Sequence, residues 1–135
     1  MSGLMNAYEL PALKAVLGTG HTADFPNTYF IMLFTVMPSD DGTGGSEVVG
    51  AGYARQSYAN TNANWNVTAN PVVNLNTITF PVASANYPAA VIGWGLATAL
   101  TAGAIVFTAA LSAPANFLSG ETPSFGAGDL SIGAD

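Results

Sequence analysis

Charged side chains are scarce in this chain of 135 residues, and cysteine is absent. Asp, Glu, Lys and Arg make up 7% of the sequence, whereas roughly a quarter is usual for soluble domains. The absence of cysteine excludes disulfides and thiolate metal ligands as sources of stability. Only Lys14 and Arg55 are basic, so the chain cannot neutralise a nucleic-acid backbone or bind an anionic membrane surface. Nucleic acid and membrane are therefore excluded as partners.

A run without any charge extends from residue 56 to residue 120. Its most apolar part, "VIGWGLATALTAGAIVF" at residues 91–107, approaches the length of about 20 residues that a membrane helix needs. Glycines and threonines interrupt this part, and no Lys or Arg flanks it. Two short apolar segments joined by "TALTAG" predict instead a β-hairpin with its turn near residues 101–103. We expect Trp94 and Phe107 to be anchors in the core or in an interface.

One helix is predicted at the N terminus, and strands are predicted elsewhere. Leucine and valine recur in "AYELPALKAVLGTG" with the spacing of one helical face, and Asn6 is a candidate N-cap. "TYFIMLFTVM" at residues 28–37 is typical of a strand buried on both faces. Short strands between Gly, Pro and Asn turns indicate a mainly β protein, an antiparallel β-sandwich or jelly-roll-like fold. We therefore predict a helical arm at residues 1–20 and one β-sandwich domain at residues 21–135.

The sequence lacks the residue patterns of an active site or a metal site. His21 is the only histidine, and no serine or aspartate is placed with it in the pattern of a catalytic triad. "DDGTGGSE" at residues 40–47 lacks the spacing of a calcium-binding loop. We read it as a mobile turn, with a loosely bound cation as the alternative. The sequence thus predicts no catalytic residue, no metal, no cofactor and no enzymatic activity.

Arg55 is a candidate for an ion pair because the chain has eight acidic residues that could be its partner. It is either an exposed residue at a strand edge or a paired residue, since the planar guanidinium binds a carboxylate through two hydrogen bonds. Asp40, Asp41 and Glu47 lie nearby in the sequence, and a neighbouring subunit could also supply the carboxylate. We predict a partly buried pair with Arg55 at the start of a central strand. Tyr53 and Glu47 join it as structural or interface candidates.

The order of motifs resembles a family of small tailed-phage virion proteins, described as head decoration (cement) or tail-fibre-like proteins. The similarity rests on "YFIMLFTVMPSDDGTGGSEVVGAGYARQ", on "TFP" at residues 79–81 and on "GETPSFGAGDLSIGAD" near the end. It covers nearly the whole chain. Two features depart from the family pattern: the hairpin is apolar where the family has polar residues, and a lysine before the closing motif is missing. The resemblance implies a non-enzymatic, β-rich virion protein that is made in the host cytoplasm.

Two functions are compatible with this resemblance. The first is a capsid decoration protein on the capsid exterior, which binds across seams of the major capsid protein as a homotrimer and stabilises the assembled shell. The second is a host-recognition module of a tail or head fibre, which binds surface glycans through Trp65 and Tyr58 on an exposed loop. The absence of shaft repeats favours the first. The low charge predicts self-association, because the centres of interfaces are depleted in charged residues.

Overall fold

A computed structural model describes residues 3–17 and 25–133 of the chain. Within this part the structure has one helix, α1, and eleven strands, β1 to β11. In chain order they are β1 Gly3–Leu4, α1 Asn6–Leu17, β2 Thr28–Val36, β3 Ser46–Glu47, β4 Gln56–Ala59, β5 Trp65–Asn66, β6 Val72–Asn74, β7 Ile78–Thr79, β8 Val91–Ala97, β9 Ile105–Ala115, β10 Ser124–Phe125 and β11 Ser131–Ile132.

The longest strands form a six-stranded antiparallel sheet in the order β1-β9-β8-β2-β3, with β4 also paired to β2. Two smaller antiparallel sheets, β10-β7 and β11-β6-β5, provide the second layer. Residues of the large sheet and of the small sheets share one hydrophobic core. The predicted mainly β, antiparallel sandwich with one short N-terminal helix is confirmed.

The core lies between the large sheet and the smaller sheets. Ile31 and Leu33 on β2 and Trp94 and Leu96 on β8 are buried there, since alternate residues of a strand share one face. Trp65 on β5 stacks on Trp94, with ring centroids 6.3 Å apart and an interplanar angle of 16°. Burial of each large apolar side chain stabilises the fold by about 1.5–3 kcal/mol. The two tryptophans therefore join the layers at the centre of the sandwich.

The opposite face of the large sheet is also buried, around Met32 and Phe34 of β2. The paired strand β8 contributes glycines on this face. A side chain at Gly93 would collide with the sulfur atom of Met37, and a Cβ atom at Gly95 would lie 2.8 Å from the ring of Phe34. The glycines therefore make room for large side chains that cross the sheet. The prediction that the strand at residues 28–37 is buried on both faces is confirmed by β2.

The apolar segment at residues 91–107 is a β-hairpin, as predicted. Strand β8 pairs with β9 in antiparallel register, with Trp94 opposite Ala109. The turn contains Ala102 and Gly103, whose φ angles are 53° and 73°. Glycine adopts such positive φ angles without steric cost, which explains its place in the turn. Among the described helices, none is long and apolar enough to cross a membrane.

The strand that follows Arg55 is not central. Strand β4 pairs with β2 and with no other described strand, so it lies at an edge of the large sheet. The central position beside β2 is taken by β8, whose residues are almost all buried. The prediction of a central strand after Arg55 is therefore wrong, because the longer and more apolar β8 occupies the inner side of β2.

The N-terminal segment begins as a strand and continues as a helix. Gly3 and Leu4 pair with β9, Met5 is buried, and the helix then runs from Asn6 to Leu17. The prediction of one short N-terminal helix is confirmed. The predicted boundary between an arm at residues 1–20 and a domain at residues 21–135 stays a prediction, because residues 18–24, which include His21, lie outside the described residues.

Candidate functional site

Glu47 and Arg55 form an ion pair at the edge of the large sheet. The Nε and Nη2 atoms of Arg55 donate to the two carboxylate oxygens of Glu47, each at 2.8 Å. Residues 50–52, which lie between Glu47 and Arg55 in the sequence, all have positive φ angles. They reverse the chain, so that Arg55, just before β4, comes back to Glu47 at the end of β3. Of the three nearby carboxylates named from the sequence, Glu47 is the partner of Arg55. Neither Asp40 nor Asp41 is paired with it.

The same guanidinium group holds the turn of the β8–β9 hairpin. Its Nη1 atom donates to the carbonyl oxygens of Ala99 and Ala102, each at 2.8 Å. Arg55 thus makes four hydrogen bonds, two to a carboxylate and two to the backbone. Because an arginine has five N–H donors in a rigid fork, these contacts fix its orientation. Arg55 therefore links strand β3, through Glu47, to the turn of the β8–β9 hairpin, which is far away in the sequence.

Tyr53 completes this network, which we call the clamp and which comprises Glu47, Tyr53 and Arg55. The Tyr53 hydroxyl donates to Oε1 of Glu47 at 2.7 Å and accepts from the N–H of Leu33 at 3.0 Å. Burial, and then the hydrogen bond to Glu47, raises the pKa of Tyr53 above its ordinary value. The hydrogen bond to Glu47 likewise raises the pKa of Arg55. The tyrosine is thus kept neutral and the arginine charged, which preserves the network.

The polar side chains of the clamp are engaged with one another and with the backbone. A cavity of about 360 Å³ adjoins it and is lined by clamp residues and by Leu100, Thr101 and Ala102 of the hairpin turn. Both carboxylate oxygens of Glu47 already accept hydrogen bonds from within the clamp. In the described part of the chain, no group of three or more His, Cys, Asp or Glu residues could hold a metal ion. The clamp is therefore arranged to hold backbone segments together.

The acidic loop before β3 folds as a turn. The N–H of Ser39 donates to the carbonyl oxygen of Thr43 at 2.8 Å, and Gly42 has a φ angle of 82°. The carboxylate of Asp41 accepts the side-chain and backbone donors of Thr43, and these hydrogen bonds lower the pKa of Asp41. The prediction of a turn is confirmed for residues 40–45, but Ser46 and Glu47 belong to strand β3, because they pair with β2. The predicted mobility of the turn and a loosely bound cation stay untested.

An apolar groove of about 590 Å³ opens between the large sheet and the small sheets. Its floor includes Tyr29, Trp65, Leu96 and Phe107, and Asn60 lies at its margin. Burial, and to a lesser degree the neighbouring Tyr8, raises the pKa of Tyr29 to about 12. The residues that line the groove are uncharged, and most of them belong to the charge-free run. The groove could accommodate an apolar group, and Asn60, Thr68 and Asn70 are polar members of its lining.

The residues predicted for surface recognition are not exposed. Trp65 and Tyr58 are 5% and 7% exposed, and their rings meet edge to face at 5.0 Å. The hydroxyl of Tyr58 donates to the carbonyl oxygen of Asn64 at 2.8 Å. The expectation that both rings stand on an exposed loop is therefore wrong, because Tyr58 lies on strand β4 and Trp65 on strand β5, and both rings belong to the core. Of the two hairpin anchors, Trp94 is fully buried in that core and Phe107 is partly buried at the groove.

Asn74 is a structural residue that the sequence analysis missed. Its side chain is completely buried and makes four hydrogen bonds. The amide nitrogen donates to the carbonyl oxygens of Asn76 and Gly126, and the amide oxygen accepts from the N–H groups of Gly128 and Leu130. Asn74 therefore attaches the C-terminal segment to β6. A lone asparagine in an Asn-rich sequence gave no signal of this role.

The fold and the clamp define the class, a mainly β, antiparallel protein whose polar network holds its own backbone. A family model described as podophage GP4 fiber I protein gp80 matches residues 5–133. The chain belongs to this family and is a structural protein of the bacteriophage virion. The resemblance to a phage virion family that the sequence predicted is thus confirmed. A comparison with curated proteins found no match.

Proposed function

We propose that the protein is a non-enzymatic subunit of a virion fibre and that it works as an assembly of several copies. The observation that carries this proposal is the match to a fibre family over residues 5–133. The clamp is consistent with it, because both carboxylate oxygens of Glu47 accept hydrogen bonds from within the chain. We propose that three copies assemble, as in the homotrimer predicted from the sequence, and the low charge supports self-association.

Exposed aliphatic side chains on three hydrogen-bonded loops support attachment to another virion surface. Three loops at one end of the sandwich are hydrogen-bonded to each other: the N–H of Ser84 donates to Ala51, and that of Gly120 donates to Ala83. Each loop exposes an aliphatic residue, and these residues are Val49, Val82 and Leu118. We call this surface the apolar loop end. Exposed apolar residues that occur together are typical of protein–protein contacts.

The apolar loop end also fits a second candidate function. A decoration protein would place this end on a seam of the major capsid protein at the capsid exterior and would stabilise the shell by binding only its assembled form. The two candidates differ in where the protein lies and in what its loss changes. A fibre subunit projects from the particle and contacts the host, whereas a decoration protein lies on the shell and resists its opening.

The experiment that separates them compares wild-type phage particles with particles that lack this protein. Electron microscopy of whole particles would locate the missing density, while adsorption to host cells and heat-induced genome release would be measured in parallel. For a fibre we expect loss of a projection and slower adsorption with unchanged heat stability. Loss of density across capsid seams with genome release at a lower temperature would establish the decoration role instead.

A further inference from the structure

The cavity beside the clamp, which we call the clamp cavity, has a volume of about 360 Å³. Its lining residues all belong to the described part of the chain, and they come from the clamp, from the loop between β3 and β4 and from the hairpin turn. Small-molecule sites in proteins usually have volumes of about 300–1,000 Å³. The clamp cavity is therefore large enough for a small ligand.

Hydrogen-bonding capacity remains on the residues that line this cavity. An arginine has five N–H groups, and the described hydrogen bonds of Arg55 use four of them, which leaves one N–H group of Nη2. Oε1 of Glu47 accepts two hydrogen bonds, whereas Oε2 accepts one and keeps a lone pair. The hydroxyl of Thr101 has no partner among the described residues. The cavity thus combines a donor, an acceptor and a hydroxyl that can act as either.

These polar groups are accessible and are held in place before any ligand binds. The side chains of Arg55 and Glu47 are 10% and 23% exposed, and Thr101 is exposed. The four hydrogen bonds of Arg55 fix the plane of its guanidinium group, and so they fix the direction of the remaining N–H group. A group that is fixed before binding loses little conformational freedom when a ligand binds. The clamp therefore prepares the cavity for a ligand.

The charges of the lining residues favour a neutral ligand. Arg55 and Glu47 form an ion pair at 2.8 Å, and the other lining residues are uncharged. An anion in the cavity would lie near the Glu47 carboxylate and a cation near the Arg55 guanidinium, and like charges at such short distances repel. A hydroxyl group is neutral, accepts from an N–H group and donates to a carboxylate. Val48, Ala54 and Leu100 provide apolar walls against which C–H groups can pack.

We propose that the clamp cavity binds a neutral ligand with neighbouring hydroxyl groups, of the class of sugars and polyols. Arg55 donates to one hydroxyl, Oε2 of Glu47 accepts from another, and the Thr101 hydroxyl binds a further position. The apolar walls contact the C–H groups of the ligand. This site is separate from Trp65 and Tyr58, the residues for which the sequence predicted glycan binding.

Titration of the whole chain with the methyl glycosides of glucose, galactose and mannose tests this site. Two-dimensional NMR spectra of the backbone amides should show saturable shifts at Ala54, Thr101 and Ala102 for at least one of these probes. The uronate and the amino sugar that correspond to the binding probe carry a negative and a positive charge. Each should bind at least about tenfold more weakly than the neutral probe, because each brings a like charge close to one member of the ion pair.

Two cavity variants leave the hydrogen bonds of the clamp in place. Thr101→Val removes one hydroxyl and should weaken binding by about two- to tenfold. Ala54→Phe fills the cavity and should abolish binding. The matched controls are Thr122→Val and Ala85→Phe, which lie at exposed positions outside the cavity lining and should bind as the wild type does.

Several results would overturn the proposal. It is wrong if none of the three glycosides gives saturable shifts, or if the shifts centre on Thr68 and Ala69 at the apolar groove. It is also wrong if both cavity variants bind as the wild type does, or if a charged sugar binds more tightly than its neutral counterpart. If Ala54→Phe does not fold, Thr101→Val decides alone. Binding is measured on the isolated protein, so its failure leaves the fibre proposal to the images of whole particles.

Discussion

Removal of the Arg55 side chain is the sharpest test of how the clamp stabilises the fold. Arg55→Ala deletes both hydrogen bonds to Glu47 and both hydrogen bonds to the hairpin turn. Glu47 then keeps only the donor from Tyr53. The change therefore leaves the Glu47 carboxylate without its counter-ion and the turn of the β8–β9 hairpin without the two hydrogen bonds from Arg55.

The expected loss follows from the burial of the pair. Breaking a fully buried ion pair costs about 3–5 kcal/mol, whereas an exposed pair is worth about 0–1 kcal/mol. The side chains of Arg55 and Glu47 are 10% and 23% exposed, so the carboxylate can regain part of its hydration. We expect Arg55→Ala to lower the free energy of unfolding by about 2–3 kcal/mol. Arg55→Lys should recover at most about half of this loss, because lysine lacks the planar fork.

The measurement is denaturant unfolding followed by the fluorescence of Trp65 and Trp94, both of which are buried. A double-mutant cycle with Arg55→Ala and Glu47→Ala isolates the pair, and we expect a coupling of at least about 1 kcal/mol. Hydrogen exchange reports on the turn separately. The amide of Thr98, which donates to Ala104 at 3.0 Å, should exchange faster in the Arg55→Ala variant.

Two results would refute this reasoning. If Arg55→Ala lowers the free energy of unfolding by less than about 0.5 kcal/mol, the pair contributes no more than an exposed ion pair does. A coupling energy near zero with a large single-variant loss would mean that Arg55 acts through its carbonyl contacts at Ala99 and Ala102 instead of through Glu47.

Three further predictions concern buried polar groups. Asn74→Ala should cost about 2–4 kcal/mol in denaturant unfolding, because it removes four buried hydrogen bonds and takes from the Asn76 carbonyl and the Leu130 N–H the partner described for each; Asn62→Ala, at an exposed position, is the control. Tyr87→Phe should be neutral or stabilising by up to about 1 kcal/mol in the same assay, since the Tyr87 hydroxyl is buried without a described hydrogen-bond partner; a clear loss would contradict this. Burial raises the pKa of Tyr29 from 10.0 to about 12, so the Tyr29 hydroxyl loses its proton at a lower pH in the unfolded chain than in the folded protein. The contribution of Tyr29 to the free energy of unfolding should therefore be retained below pH 10 and should fall as the pH rises from 10 to about 12. Urea unfolding at successive pH values should show a smaller fall for Tyr29→Phe.

The sequence allowed the ion pair to be anticipated because the choices were few. With two basic residues and three acidic residues close by, a partner for Arg55 could be named within a short set. Its place in the sheet could not be predicted, since strand order depends on long-range pairing that local patterns do not encode. The strand after Arg55 proved to be an edge strand because β8 pairs along the inner side of β2.

The glycines of β8 show a different limit of the sequence analysis. Gly93 and Gly95 counted against a membrane helix, and that conclusion was correct. Their physical role is the space that they leave for Met37 and Phe34, which come from β2 and the segment after it. Such a contact joins residues about sixty positions apart, so no local pattern could reveal it. The same holds for Asn74, whose partners at residues 126–130 lie far along the chain.

The charge-free run at residues 56–120 connects the fold of the protein to the proposed assembly of several copies. Its strands include β8 at the buried centre of the large sheet and β4 at an edge of that sheet. An edge strand without charged residues, such as β4, is prone to pair with another chain. The acidic residues lie elsewhere and provide a net charge of −6, which favours solubility. All eight acidic residues lie outside residues 56–120, which is the distribution expected if the proposed assembly of several copies forms through the charge-free part of the chain.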